Sequence, residues 1–157
     1  MNILIVYDSV YGNTQEIAQA IEQGLQGDHE ITLVKGDQAK VEDIEGLDLL
    51  IVGSPTHGGW YIESIKSFLK AIPNNGLQNI PAASFDTGSS KENEGFFIRF
   101  IINLFGYASP RIAKALAKKG ATVIGSETFF VLGTEGPLKE GEVDRARSWA
   151  QRLIDNF

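Results

Sequence analysis

The segment Ile3-Leu4-Ile5-Val6-Tyr7-Asp8-Ser9-Val10-Tyr11-Gly12-Asn13-Thr14 decides the fold of this chain. It opens with four consecutive aliphatic residues that do not alternate with polar ones, a pattern that predicts a strand buried on both faces. A short polar loop follows. Apolar residues then recur at helical spacing, at Ile17, Ala18, Ile21 and Leu25. The segment therefore predicts a strand, a loop and a helix in direct succession.

The loop and the start of this helix are suited to bind an anion. The first turn of a helix leaves backbone N–H groups unpaired, and the helix dipole adds partial positive charge there. Ser9 and Thr14 add hydroxyl donors, and Gly12 allows a close approach of the backbone. The loop has neither the lysine of a nucleoside triphosphate P-loop nor the GxGxxG of a dinucleotide site. The alternative is an ordinary helix cap at Asn13 or Thr14 that binds nothing.

These residues resemble the phosphate-loop signature of the flavodoxin family. The matching positions are Ile5-Val6-Tyr7-x-Ser9-x-x-Gly12-x-Thr14-x-x-x-Ala18-x-x-Ile21. The resemblance implies FMN as the cofactor, with its 5′-phosphate in the loop 9–14. It also implies a fold, the α/β flavodoxin-like three-layer sandwich of the short-chain form. That fold has a five-stranded parallel sheet of order 2-1-3-4-5 with helices on both faces.

The composition narrows the functional classes. A chain of 157 residues, 43% hydrophobic and 22% charged, predicts a single globular domain over 1–157. The absence of cysteine excludes disulfides, thiolate nucleophiles and iron–sulfur ligation, and no metal site is predicted. No basic leader is visible, so we expect a cytoplasmic protein. The net charge of −6 disfavours nucleic acid, and it could either steer the protein to a basic partner or simply keep it soluble.

The order of apolar patterns along the chain agrees with the implied fold. Predicted strands cover 2–7, 30–34, 47–53, 80–85 and a pair of runs, 121–124 and 128–132, that are interpreted as one strand with an interruption at 125–126. Predicted helices cover 13–26, 61–72 and 110–119, and a last one runs from about 141 to Phe157. Alternation of strands and helices predicts a parallel sheet with right-handed crossovers.

Three polar loops follow strands at the carboxyl edge of the predicted sheet, beside the point where the strand order reverses. They cover 8–14, 54–60 and 86–90 and are rich in glycine and hydroxyl residues. Their convergence predicts a ligand site there, with no catalytic residue. The candidate cofactor-binding residues are Ser9, Val10, Tyr11, Gly12, Asn13, Thr14, Pro55, Thr56, His57, Gly58, Gly59, Trp60, Asp86, Thr87 and Gly88.

The second loop extends the resemblance and also departs from it. Flavodoxins place the segment that matches Ser54-Pro55-Thr56 beside the isoalloxazine ring, often with tryptophan next; this chain has His57, with Trp60 slightly later. Either residue could contact the ring, or Trp60 could pack in the core. In flavodoxins a peptide beside flavin N5 flips on one-electron reduction, and its carbonyl then accepts the N5–H. We hypothesise that Gly58 supplies that carbonyl, since glycine adopts positive φ at low cost; the alternative is a plain tight turn.

Two further features keep several interpretations open. Asp86 in the third loop would lower the potential of the fully reduced flavin by charge repulsion if it faced the ring, and otherwise it is a capping aspartate. Eight of the ten residues in 96–105 are apolar, too short a run to cross a bilayer. The stretch 96–107 could cover the flavin edge, form a homodimer interface, touch a membrane, or be a buried helix or an extension of the next one. Tyr107 or one of the phenylalanines could supply an outer stacking ring.

The leading functional prediction is a one-electron redox carrier that holds FMN and exchanges electrons with a protein reductase and a protein acceptor. The first alternative is an FMN-dependent NAD(P)H:quinone oxidoreductase, in which His57 would polarise a quinone. The second is an interaction module that has lost its flavin, although the presence of Ser9, Gly12 and Thr14 speaks against that interpretation.

Overall fold

The computed structural model describes residues 1–92 and 94–155 and contains one parallel sheet of five strands. The strands are β1 (Asn2–Tyr7), β2 (Glu30–Lys35), β3 (Leu49–Pro55), β4 (Pro81–Ser89) and β5 (Thr122–Val131). They lie in the order β2-β1-β3-β4-β5, which confirms the predicted fold class and topology. The helices are α1 (Asn13–Gly24), α2 (Glu63–Ala71), α3 (Phe96–Phe105), α4 (Ala108–Lys118) and α5 (Glu142–Ile154), and a 3-10 helix covers Val41–Ile44.

Two apolar layers sandwich the sheet. On one face α1 and α5 pack over side chains such as Ile3, Ile5 and Ile51. On the other face α2 and α4 pack over Leu4 and Val52. Alternate residues of one strand thus enter different layers, as the two-residue repeat of a strand requires. This explains why residues 3–6 of β1 and 49–52 of β3 are continuous apolar runs, whereas the edge strand β2 alternates.

The observed elements differ from the predicted ones in β3, β4 and β5. Strand β3 covers Leu49–Pro55 and not 47–53, so the predicted loop 54–60 is wrong at its start, because Ser54 and Pro55 pair with β4 inside the sheet. Strand β4 does not end at 85 but continues to Ser89, so the expected loop from Asp86 is wrong at its start: Asp86 and Thr87 pair with β3 and β5 inside the sheet. Strand β5 is continuous, and the predicted interruption is instead a bulge, because the register moves from Ala82↔Val123 to Ala83↔Gly125.

The apolar stretch forms the separate helix α3, which the sequence analysis left open. It is neither a buried helix nor an extension of α4, since Gly106 with φ of 70° ends it and most of its phenylalanines are exposed. Among the described residues, no helix is long and apolar enough to cross a membrane. The predicted contribution of Phe157 to the last helix lies outside the described residues.

Candidate functional site

A cleft of about 410 Å³ opens at the carboxyl edge of the sheet, next to the reversal of strand order between β1 and β3. It lies among the loop after β1, the ends of β3 and β4, the loop after β5, and α3. The structure brings twelve of the fifteen predicted site residues to its wall: Ser9, Val10, Tyr11, Asn13, Thr14, Pro55, Thr56, His57, Gly58, Gly59, Thr87 and Gly88. Gly12, Trp60 and Asp86 do not line it.

The loop after β1 presents the start of α1 to this cleft. Gly12 precedes the helix in a left-handed conformation with φ of 92°, and no side chain caps the N–H groups of the first turn. The Ser9 hydroxyl oxygen accepts the Gly12 N–H at 3.0 Å, and Ser9 N–H donates to a carboxylate oxygen of Asp8 at 2.7 Å. Gly12 therefore does not line the cleft, but its left-handed conformation sets the path of the loop. The N–H groups at the start of α1 stay available to a ligand.

Thr14 stands at the base of the same loop. Its side chain is almost fully buried, and its Oγ1 shares a hydrogen bond of 2.7 Å with Oγ1 of Thr87 at the end of β4. Asn13, also on the wall, donates its amide N–H to the Glu135 carbonyl at 2.9 Å. That bond ties the loop after β5, which contributes Thr134 to the wall, to the start of α1.

The second loop is a tight hairpin turn. His57 and Trp60 exchange two backbone hydrogen bonds of 2.9 and 3.0 Å, and the intervening Gly58 and Gly59 have φ of 57° and 83°. Two successive positive φ values strongly favour glycine. A Cβ added at Gly59 would lie 2.6 Å from Cβ and 2.8 Å from the carbonyl oxygen of Phe105, whereas one at Gly58 would meet nothing within 4 Å. The turn therefore packs directly against the end of α3.

The aromatic residues near the loops divide between two sides of this turn. Trp60 lies outside the cleft: the residue is 53% exposed, and its ring packs under the Arg111 guanidinium, 4.2 Å from the ring centroid. His57 and Tyr107 line the cleft, as does Tyr11. Tyr107 is fixed by its hydroxyl, which donates to the Ser89 carbonyl at 3.0 Å. Burial and, secondarily, the charge of Asp86 raise the pKa of Tyr107.

Asp86 lies within the sheet and not on the wall of the cleft. It is fully buried, and its carboxylate accepts hydrogen bonds from the hydroxyls of Thr56 and Thr128 (2.7 Å for Thr128) and from the Ala108 N–H at 3.1 Å. Burial raises the pKa of Asp86, and these hydrogen bonds oppose that shift. Because Ala108 is the first residue of α4, the capping interpretation of Asp86 agrees with these contacts. Asp86 also holds Thr56 of the wall in place.

Helix α3 closes one side of the cleft. Ile98, Ile101 and Ile102 line it, at the helical spacing i, i+3, i+4, while Phe97 and Leu104 on the outer face are 72% and 62% exposed. Several wall residues are not among the candidates predicted from the sequence: Ser89, Ile98, Ile101, Ile102, Gly106, Val131 and Thr134. The isoleucine spacing was visible in the sequence, but apolar side chains cover most of the circumference of this helix, so the pattern does not reveal which apolar face turns inward.

The chemistry of the wall is neutral. Within 1–92 and 94–155, no lysine, arginine, aspartate or glutamate lines the cleft. One end offers hydroxyls and free helix N–H groups, and the other end offers isoleucines and aromatic rings. This donor set fits a ligand with one anionic group and a flat apolar body, as FMN has.

Comparisons with known proteins agree with the geometry. The family model for flavodoxin matches residues 5–149. A flavodoxin of Aquifex aeolicus is 38% identical over 168 aligned residues, which cover 98% of this chain and 85% of that protein. A diflavin flavoprotein of Nostoc sp. is 42% identical over 77 residues, 46% of this chain and only 13% of that protein. The crystal structure of oxidised flavodoxin 1 from Bacillus cereus superposes with a TM-score of 0.79 at 19% identity, over 100% of this chain and 99% of that chain.

Proposed function

The chain belongs to the flavodoxin family, so it is an FMN-binding electron carrier that exchanges electrons with protein partners, and we propose that the cleft between α1 and α3 is its FMN site. The observation that carries this assignment is the uncapped start of α1, which meets a neutral, hydroxyl-lined wall at the switch point of the sheet. FMN supplies the electron-accepting chemistry, and the chain supplies binding, orientation and electrostatics.

We propose that the first loop holds the 5′-phosphate. The hydroxyls of Ser9 and Thr14 and the N–H groups at the start of α1 would donate to it, and the helix dipole would favour its negative charge. No cation is needed, because several charge-assisted hydrogen bonds already stabilise a phosphate in a partly buried site. Thr87 supports this arrangement by fixing the Thr14 side chain at 2.7 Å.

The flavin ring would lie between the 57–60 turn, Tyr107 and the inner face of α3. The aromatic side chains His57, Tyr107 and Tyr11 line the cleft. Ile98, Ile101 and Ile102 exclude water from its third side. Gly58 is in a left-handed conformation in this turn, which supports the hypothesis that its carbonyl accepts the N5–H of the reduced flavin. Asp86, buried and hydrogen-bonded to Thr56 of the wall, would oppose extra negative charge on the ring.

The test of the carrier function is a stepwise reductive titration of the FMN-loaded chain, followed by its visible spectrum. We expect two separate one-electron steps, with the half-reduced form accumulating between them. A single two-electron step, together with steady NAD(P)H oxidation by the chain alone, would favour the quinone oxidoreductase instead. A chain that stays colourless with added FMN does not bind the cofactor, and that result would favour the flavin-free interaction module.

Three finer expectations remain proposals. The chain would act as a single domain over 1–157, in the cytoplasm.

The exposed phenylalanines of α3 would support a homodimer, since a contiguous apolar surface of this kind often marks an interface. Sedimentation velocity of the wild type and of Phe97→Ser tests the dimer. A wild type that sediments as a monomer at every accessible concentration would rule out a dimer under those conditions.

A further inference from the structure

A second concave surface lies on the other side of the 57–60 turn, between α2 and α4, and has a volume of about 440 Å³. We call it the basic groove, because six of the chain's fourteen Lys and Arg side chains line it: Lys66, Lys70, Arg111, Lys114, Lys118 and Lys119. No carboxylate lines it among the residues that the structure describes. On a chain with a net charge of −6, this is a local reversal of sign.

The cations form two facing rows. On α4, Arg111, Lys114 and Lys118 recur at i, i+3 and i+7, so they share one face of that helix. On α2, Lys66 and Lys70 recur at i, i+4. The α4 row extends over about 10 Å, seven residues at the helical rise. The floor between the rows is apolar and contains Trp60, Tyr61, Leu69 and Ala115.

Several of these cations have no partner that would neutralise them. Lys70, Lys114 and Lys118 make no hydrogen bond or ion pair within the described part of the chain. Lys66 pairs with Glu63 at 3.1 Å, but both side chains are more than half exposed, so the pair is weak. Lys119 donates to the Ile72 carbonyl. The rows therefore present unbalanced positive charge to a partner.

Arg111 connects the basic groove to the cleft. Its guanidinium stacks on Trp60 and donates to the Phe105 carbonyl at 2.8 Å. That same residue, Phe105, abuts Gly59, which lines the cleft. An occupant of the groove that touches Arg111 and Trp60 therefore lies one turn of backbone from the proposed flavin site. This position favours a partner in electron transfer over an unrelated ligand.

We propose that the basic groove docks an acidic segment of a protein redox partner, with carboxylates against the two cation rows and apolar side chains on the floor. A row of separate lysines about 10 Å long suits charges distributed along a peptide, whereas a single phosphate needs a few donors that converge on one point. Charge complementarity of this kind acts chiefly on the association rate and on the orientation of the complex. The inference rests on the proposed function, since only an electron carrier needs a partner beside this cleft.

The first experiment measures peptide binding by fluorescence anisotropy, with the FMN-loaded full chain as the receptor. The probe is a labelled helical peptide of about 18 residues, five turns, with glutamates at i, i+4 beside a leucine row. The matched variants are Lys114→Glu in the groove and Lys35→Glu on the edge strand β2, outside the residues that line the groove, and they change the net charge equally. We expect Lys114→Glu to weaken binding about three- to tenfold and Lys35→Glu less than about twofold.

Other outcomes of that experiment overturn the inference. Equal effects of the two variants would mean that only net charge matters. Equal binding of a control peptide with glutamine for glutamate would mean that carboxylates are not recognised. ATP is tested as a competing ligand. If wild type binds ATP more tightly than the peptide and Lys114→Glu does not bind ATP, the groove is a nucleotide site. If the chain shows a flavin spectrum but does not bind the peptide, only the docking site is refuted. If the chain does not bind flavin, the proposed function is refuted.

The second experiment asks whether the groove guides electron transfer. The reduced FMN-loaded chain is mixed with ferricyanide, an anionic acceptor, and with hexaamminecobalt(III), a cationic one. We expect Lys114→Glu to slow the ferricyanide reaction about two- to threefold more than Lys35→Glu does, and to favour the cationic acceptor. If both variants change both rates alike, the basic groove does not lie on the electron-transfer face and the inference fails.

Discussion

The cleft and the basic groove lie on opposite sides of one four-residue turn, yet they are built for anions in opposite ways. The cleft has hydroxyls and free helix N–H groups and, in the described chain, no charged wall residue; the groove has six cations. Fixed backbone donors in a buried site hold one phosphate in one geometry. Lysine ammonium groups are strongly hydrated and lie at the ends of flexible stems, so they bind anionic groups of many shapes weakly. If the cleft holds the FMN phosphate as proposed, the difference teaches that a cofactor phosphate needs no positively charged side chain, whereas cations beside its site suit the encounter with a partner.

The turn that separates the two surfaces should be the most sensitive point. Gly59→Ala adds a Cβ that would overlap the backbone of Phe105 and also strains a positive φ, so we expect a loss of about 2–4 kcal/mol in the free energy of unfolding. Gly58→Ala is the matched control, since Gly58 also has a positive φ but an added Cβ there meets open space, and this variant should lose about 1–2 kcal/mol. Urea denaturation of the FMN-free chain measures both, so that a change in FMN affinity does not enter the comparison. Equal losses would show that α3 does not pack on the turn.

The neutral character of the cleft is tested at Thr14. Thr14→Val keeps the shape but removes the hydroxyl, and we expect FMN affinity to fall about ten- to a hundredfold, the effect of one hydrogen bond to a charged group. Thr134→Val is the control, because Thr134 lies in the exposed loop after β5. Titration of the FMN-free chain with FMN, followed by flavin fluorescence, measures the affinity. A similar loss of FMN affinity in both variants would contradict the proposal that the first loop holds the phosphate.

The buried carboxylate behind the neutral wall should make stability depend on pH. Burial raises the pKa of Asp86 above its ordinary 3.8, so the folded chain holds this proton more tightly than the unfolded chain. Stability should therefore fall as the pH rises from 3.8 through the higher folded pKa, by about 1.4 kcal/mol for each unit of pKa shift. Asp86→Asn should lack this fall, while the control Asp37→Asn, at an exposed position, should retain it.

Urea denaturation between about pH 4 and pH 8 measures that difference. Parallel pH profiles of wild type and Asp86→Asn would contradict the raised pKa. A redox titration of the same variant is a separate check, since removal of a buried negative charge should raise the potential of the fully reduced flavin if Asp86 acts on the ring.

The smallest effect should come from the residue that faces the groove. Trp60→Leu should change FMN affinity by less than about twofold, because the ring packs under Arg111 outside the cleft. Tyr107→Leu, on the wall, should weaken FMN binding about five- to tenfold through the loss of an aromatic contact. If the Trp60 variant lost more affinity than the Tyr107 variant, the division of aromatic side chains between the two surfaces would be wrong.

The sequence predicted the parts of the site that depend on local pattern. The four buried aliphatic residues, the loop after them and the start of α1 are all within a few residues of one another, so their spacing specifies both the strand and the exposed helix donors. Strand β1 has the predicted bounds, and the strand order was confirmed. The ends of elements were less predictable, because Asp86 and Thr87 look like turn residues and only their pairing with neighbouring strands keeps them in β4.

By itself, the sequence determined the alternation of strands and helices, the anion-binding loop and the family, because these follow from periodicity and from residue types at fixed spacing. The tertiary structure alone decided which side of the turn Trp60 occupies, which face of α3 turns inward, and that Asp86 is buried. It also brought two helices, distant in sequence, together so that their lysines form one groove. These outcomes depend on packing between distant segments, about which local patterns carry no information.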